Sequence, residues 1–395
     1  MSIYFVVTIL LIIFIIRYDF NGKTEGRNLC YFMVMVILIL IAGLRWRLGI
    51  DTMAYMIRFY YNYSSIDKLS MDDFALGSDP FYTLINVFVK SLGGRFYMVQ
   101  IIEAAIVNIL VFKYIKKHTQ FIFTCVLFFF FISYLNYTME VMRGSISIAI
   151  CLFGNDYILE KKWWKGYTLY LIALMFHFQT IVLFILPMFF FIRFNKFGIA
   201  LLVVAFIAGM GLQEFLGQYA VLLGEDSGEV GDKVYGYANS ARWGVNNGNM
   251  TYFVSLILVK IIYPIFSLLY IKKYSDNEDL KRLEPFIMFG LGFVLVQMSF
   301  PIAFRYVYYY EVYFALIHSY VLVSIIKNNT ILEWKLVYLK AFIFFFPVLL
   351  YYGYNKYRTH KFHPYTSVIE KKVNKQRENV YMGRSTYLPP NKNEY

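Results

Sequence analysis

The sequence is poor in charge: only 16% of its 395 residues are Asp, Glu, Lys or Arg, too few to clothe a soluble protein of this size. It is also poor in cysteine. Cys30, Cys125 and Cys151 each sit in an apolar run, far apart, which indicates neither a disulfide framework nor a metal-ligand spacing. There is no Walker A lysine loop, no GxSxG elbow and no HExxH, which argues against ATP-driven transport and zinc chemistry. No polar stretch is long enough for a soluble transferase domain of the nucleotide-sugar kind, so any activated donor must be delivered by the membrane.

What fills the chain instead is apolar: 59% of residues are hydrophobic, in near-continuous runs rather than at strand or amphipathic-helix period. Runs of about 17 to 22 residues match a ~30 Å hydrocarbon core crossed as helix, and the lack of strict alternation excludes an outer-membrane barrel. The spacing predicts an all-α polytopic membrane protein with about twelve transmembrane helices, at 1–17, 28–44, 96–114, 119–135, 141–159, 164–177, 178–193, 197–213, 251–273, 284–303, 305–327 and 335–353. Residues 80–93 are apolar but short, and read as a re-entrant or interfacial helix. The first run lacks a basic flank and a cleavage pattern, so it reads as a retained span rather than a signal peptide.

The formal charge of +13 is a topology signal before it is anything else. Basic clusters at 17–27, 113–118, 160–165, 193–196 and 272–282 fall on one side of the twelve-span arrangement, which the positive-inside rule makes cytoplasmic. The other side receives two long segments, about 45–95 and 214–250, in a membrane domain spanning 1–353. The tail, 354–395, holds nine Lys/Arg against three Glu and reads as basic and flexible. Twelve spans starting outside leave this tail outside, against the charge rule, and a miscount near 284–327 is the favoured resolution.

Four places carry chemistry. Gly43 to Tyr55, GLRWRLGIDTMAY, puts Arg45 and Arg47 where a helix leaves the membrane, a turn at Gly49, and a new helix capped by Asp51 and Thr52. Paired guanidinium forks near a helix N-terminus suit phosphate or diphosphate, although arginines lying along the interface explain the pair too. Arg143 opens an apolar run, with Glu140 three residues earlier as a local ion-pair partner or as part of a site. His177 stands alone among apolar residues; it is either a hydrogen-bonded packing residue or a base able to take a proton near neutral pH. His318 has fewer polar neighbours and ranks below it. Arg305, ahead of Tyr306, Tyr308, Tyr309 and Tyr310, is either an interfacial belt or a further anion and sugar contact, with Glu311 beside it.

In order and spacing, GLRxxxGxDTxxY after the second run, then MRGSISIAI, LIALMFHFQTIVL and FRYVYYYEVYF resemble the EpsG branch of the Wzy-like exopolysaccharide and O-antigen polymerases, over about residues 1–350. Family members commonly have Gln after the arginine of the MRGSISIAI block, where this chain has Gly144, and Lys-Ser after the histidine, where it has Phe178 and Gln179. The resemblance implies a GT-C-like bundle, similar to O-antigen ligases, in the bacterial plasma membrane. It would join undecaprenyl-diphosphate-linked oligosaccharide units at the outer face, without cofactor or metal. Flippase and chain-length regulator proteins and membrane lipids are the implied partners, and nucleic acid is not. Carried over by residue, Arg45, Arg47, Arg143 and Arg305 become diphosphate ligands, and His177 the acceptor base. Asp51, Tyr55, Tyr306 and Glu140 become catalytic or substrate-contacting positions.

Two other classes compete. A flippase or transporter of lipid-linked oligosaccharide would use intramembrane Arg and His for cargo, but would show paired broken helices, which the sequence does not display. An acyltransferase would be expected to place a histidine near the first spans, and none precedes His118.

Overall fold

The computed structural model describes residues 3–61, 63, 65–70, 74, 79–223, 254, 256–300, 303–327, 362–372, 374 and 375. The expected span 335–353, most of the loop 214–250 and most of the tail lie outside the described residues. Among those described, regular structure is helical except for one isolated bridge, Arg45 to Ser367. The chain divides into two compact units, residues 1–187 with 353–395, and residues 188–352.

The first unit is built of helices that alternate in direction. α1 (Ile3–Phe14) runs on through a π-wound turn, Ile15–Phe20, and α2 (Arg27–Gly43) returns. α5 (Phe96–His118) lies antiparallel to α2, with the Tyr31 hydroxyl donating to the Phe112 carbonyl near one end and Gly43 against Ile101 at the other. A Cβ at Gly43 would stand 2.9 Å from the Ile101 backbone, so this close crossing needs glycine. α6 (Ile122–Phe129) continues as a π-wound stretch, Phe130–Glu140. α7 (Met142–Leu159) and α8 (Trp163–Phe176) follow. Among the described residues, three segments are long and apolar enough to cross a bilayer: Ile3–Phe20, Phe96–His118 and Ile122–Glu140.

Two short helices occupy the end where α2 finishes. α3 (Ile50–Tyr61) and α4 (Pro80–Ser91) have 12 residues each, about 18 Å of helix, well short of a ~30 Å core. They are clamped together by Lys90, whose Nζ donates to the carbonyls of Phe59 and Tyr60 at 3.0 Å. Beneath α3, Tyr55, Met56, Phe59, Tyr82, Phe96 and Met142 form one buried apolar cluster. Where an apolar span was expected to begin at 178, the chain winds as a 3-10 turn, Phe178–Phe184. Its polar start, Gln179 and Thr180, is held by side chains of the first unit rather than by lipid: Thr180 meets the Ser147 hydroxyl, and Gln179 meets His177.

Residues 362–371 come back to this same end as a strap. Trp46 N–H donates to the Thr366 carbonyl (2.8 Å), Val368 N–H to the Leu44 carbonyl (2.9 Å), and the Thr366 hydroxyl to the Trp46 carbonyl (2.7 Å). The hydroxyls of Tyr4 and Tyr365 add bonds to the carbonyls of Phe362 and Ile41.

The second unit holds α9 (Lys196–Leu223), a π-wound turn Leu258–Ile262, α10 (Tyr263–Tyr274), α11 (Glu278–Arg282), α12 (Glu284–Ser299), α13 (Phe304–Val307) and α14 (Glu311–Lys327). Its interior contains a buried ion pair, Lys260 Nζ to Glu311 Oε1 at 2.7 Å, and the Ser267 hydroxyl lies 2.8 Å from His318 Nδ1.

Candidate functional site

The first cluster forms where α4 starts, α7 starts and α8 ends. Asp79 precedes Pro80, the first residue of α4, and its backbone carbonyl accepts the Thr83 N–H. Its carboxylate does not cap the helix. One oxygen pairs with Arg143 Nη1; the other accepts the Phe178 N–H at 3.0 Å and lies 3.6 Å from His177 Nδ1. The Arg143 guanidinium also lies over the Tyr55 ring, 5.7 Å from its centre, and Tyr55 meets Tyr82 edge to face. His177 Nε2 is 3.1 Å from Gln179 Oε1. Burial disfavours the charged form of Asp79, but the neighbouring imidazole, Arg143 and the Phe178 N–H together outweigh it and hold the pKa below the usual carboxylate value. Burial pushes the Tyr55 phenol upward despite Arg143, so it is a neutral hydroxyl at physiological pH.

Sequence separates Arg143 from Asp79 by 64 residues, and packing removes the gap. Gly144 makes room: a Cβ there would stand 2.7 Å from Val141 Cγ1 and 3.2 Å from His177 Cδ2.

The second feature is a cavity of about 350 Å³ at the end of α2. Arg45, Arg47, Arg95 and Lys371 line it together with Trp46 and Tyr60, with no carboxylate among the described lining residues. Arg47 and Lys371 both place their charge against the Trp46 ring, at 5.3 and 5.6 Å from its centre. α3 gives Thr52, Met56 and Tyr60, four residues apart on one face, to the cavity, while Tyr55 on another face touches Arg143. Gly49 makes the turn into α3 at φ 90°, with Met139 O only 2.8 Å from where a Cβ would be.

Among the described residues, four that are not glycine have left-handed φ: Arg47 (51°), Asp79 (54°), Lys161 and Lys371 (47°). Three of the four belong to these two features. Such a conformation costs about 1–3 kcal/mol, and such residues concentrate at working sites.

Not every expected residue sits as expected. Arg45 is 0% exposed and is committed to Glu103, 3.7 Å away, and to the Ala42 carbonyl, so it braces the cavity wall from within. The carboxylate partner of Arg143 is Asp79, across the fold, rather than Glu140, from which a break in the helix at Val141 divides it. Asp51 lies inside the first turn of α3 rather than capping it, and Thr52 donates to the Met139 carbonyl at 3.1 Å. Arg305 and Tyr306 belong to the second unit, where Tyr306 stacks on Phe293 at 5.2 Å. Asp79, Arg95, Lys260 and Lys371 were missed. Asp79 left a readable trace, an acidic residue directly before a proline that opens an apolar helix, and Lys260 left another, a charge in the middle of the apolar run 251–273; Arg95 and Lys371 left none.

The model of the EpsG family matches residues 28–367 of this chain. No curated protein and no solved structure matches it.

Proposed function

The chain belongs to the EpsG family, and from that premise we propose that it polymerises oligosaccharide repeat units carried on a lipid diphosphate, at the outer face of the bacterial plasma membrane. About twelve spans in a GT-C-like bundle would carry the site, and the end of the first unit bearing α3, α4 and the strap would face outward. Docking of the strap beside Trp46 supports an even number of crossings between them. It also supports an outward-facing segment 362–371, in place of a miscounted span.

The observation that carries this reading is the Arg143–Asp79–His177 cluster, next to a cavity lined by Arg45, Arg47, Arg95 and Lys371. In the transfer, the acceptor hydroxyl oxygen bonds to the anomeric carbon of the growing chain. The bond from that carbon to the diphosphate oxygen breaks, and the leaving lipid diphosphate takes the electron pair. Preplaced guanidinium groups stabilise the charge that develops there, each such donor being worth about 3 kcal/mol. The proton passes to His177. In the tautomer with Nδ1–H facing Asp79, Nε2 is the accepting nitrogen, and the Gln179 amide turns its NH2 rather than its oxygen to it until a sugar hydroxyl takes that place. A single displacement of this kind inverts the anomeric centre and needs no covalent nucleophile. Tyr55 holds Arg143 in place.

The test is His177→Ala in cells. Single repeat units on the lipid carrier should accumulate at the outer face; accumulation at the inner face would instead favour the flippase reading.

A further inference from the structure

We infer that Gln100 is a specificity residue for a sugar ring: the cavity at the end of α2 seats a ring of the repeat unit, and the Gln100 amide bonds its hydroxyl or acetamido substituents. α5 opens FYMVQIIEAAIVN, and helical period puts Phe96, Gln100, Glu103 and Val107 on the face that is buried. A buried amide left without a partner is unfavourable, so polar side chains on such a face are expected to be bonded. Further along it they are: Glu103 accepts from the Ser145 hydroxyl at 3.0 Å, and Asn108 donates to the Ala104 carbonyl at 2.8 Å. Gln100 departs from this pattern. It is 2% exposed, its amide bonds to none of the described residues, and it lines the cavity. An amide that the fold encloses but does not satisfy, at the wall of a cavity, is placed for a ligand.

The chemistry of the wall selects that ligand. A neutral amide carries donor hydrogens and an acceptor oxygen, and a sugar hydroxyl or acetamido group also donates and accepts, so the two sides match in kind. A phosphate dianion only accepts, and would leave the amide oxygen unmatched. The rings of Trp46, Tyr60, Phe96 and Tyr97 share the lining. Their apolar faces suit the C–H face of a pyranose, and a few placed polar groups among aromatic walls are the usual make-up of a small-molecule site. At about 350 Å³ the cavity is at the small end of such sites, ~300–1,000 Å³, so it takes a ring rather than an extended chain. α3 is a wall of the cavity through Thr52 and Met56 and touches Arg143 through Tyr55, which places a seated ring across one helix from the reacting cluster. That the ring belongs to a repeat unit rests on the polymerase reading; that a sugar binds does not.

The experiment is saturation-transfer NMR on the full-length chain in detergent, with the methyl glycosides of glucose, galactose and N-acetylglucosamine as probes. The native chain should transfer saturation to the ring protons of at least one, and titration gives its Kd. Gln100→Leu, which keeps bulk and removes the amide, should raise that Kd about tenfold, the usual effect of losing a neutral hydrogen bond or two. The same variant should unfold at the native temperature or above, because the amide it loses bonds nothing in the fold. With lipid-linked repeat units, it should raise KM about tenfold and leave kcat unchanged. Preference for the acetamido glycoside assigns Gln100 to an N-acetyl group, and preference for either of the others to ring hydroxyls; both support the site. Transfer to none of the probes, an equal Kd for native chain and Gln100→Leu, or a Gln100→Leu chain that unfolds several degrees lower would overturn it. Because the glycosides bind without turnover, the sugar site stands even if the chain makes no polymer, and polymer formation with an unchanged KM in Gln100→Leu removes this inference alone.

Discussion

At the end of the first unit where α5 and α7 finish, Lys117 Nζ and His118 Nε2 both reach Asp156 Oδ2, at 2.7 and 2.8 Å, Lys162 meets Glu160 at 2.6 Å, and Arg27 lies 3.7 Å from Asp19. At the opposite end, Arg47, Arg95 and Lys371 line a cavity with no carboxylate among its described lining residues. Both ends are rich in basic residues and neither is distinguished by composition. What differs is where the negative charge is. At the first end the protein supplies it, and the cations act as structural fastenings. At the second, two buried acids stand behind the wall, Glu103 on Arg45 and Asp79 on Arg143, where they orient cations.

This contrast can be broken most severely at Arg143. Arg143→Lys keeps the charge but loses the planar fork that spans Asp79 and the Tyr55 face, and polymer per unit of protein should fall about 100-fold or more while abundance in the membrane is unchanged. Near-normal polymer in that variant would make Arg143 a fastening like those of the other end. Next in size is Gly144→Val: the added side chain takes the space beside His177, and activity should drop about tenfold or more with Asp79 and Arg143 intact, measured against a Gly144→Ala control expected to lose less.

Asp79 gives a pH test. Its folded pKa is depressed, so the stability it contributes is present above the ordinary carboxylate value of 3.8 and is lost as pH falls through the lower folded value. Thermal unfolding should therefore show an acid-side loss below about pH 4 that Asp79→Asn lacks, with the variant the less stable of the two from pH 5 to 8. The smallest effect belongs to the paired end. Asp156→Asn should cost about 1 kcal/mol, since its lysine partner is half exposed, and should leave polymer per folded molecule unaltered.

The sequence made the apolar helices legible because length and hydrophobicity are local properties, and it pointed to Arg47, Arg143 and His177 because a charge or an imidazole stands out in an apolar context. It did not reveal their partners. Asp79 reads locally as a helix-start residue, and only the crossing of α4, α7 and α8 turns its carboxylate toward Arg143 and His177. Lys371 sits in a run that reads as a solvated basic tail, and its use depends on the Thr366 and Val368 bonds to Trp46 and Leu44, which hydropathy does not encode. Arg45 misled in the other direction: the motif singled it out, while packing against Glu103 removes it from solvent.

The most direct test of the central claim is reconstitution of the purified chain in liposomes with lipid-diphosphate-linked repeat units at the face bearing the strap, with no nucleotide sugar present. A ladder of saccharides rising by whole repeat units, absent with His177→Ala and Arg143→Lys, is the predicted result. Repeat units that change leaflet without lengthening, or that stay unchanged, would contradict it.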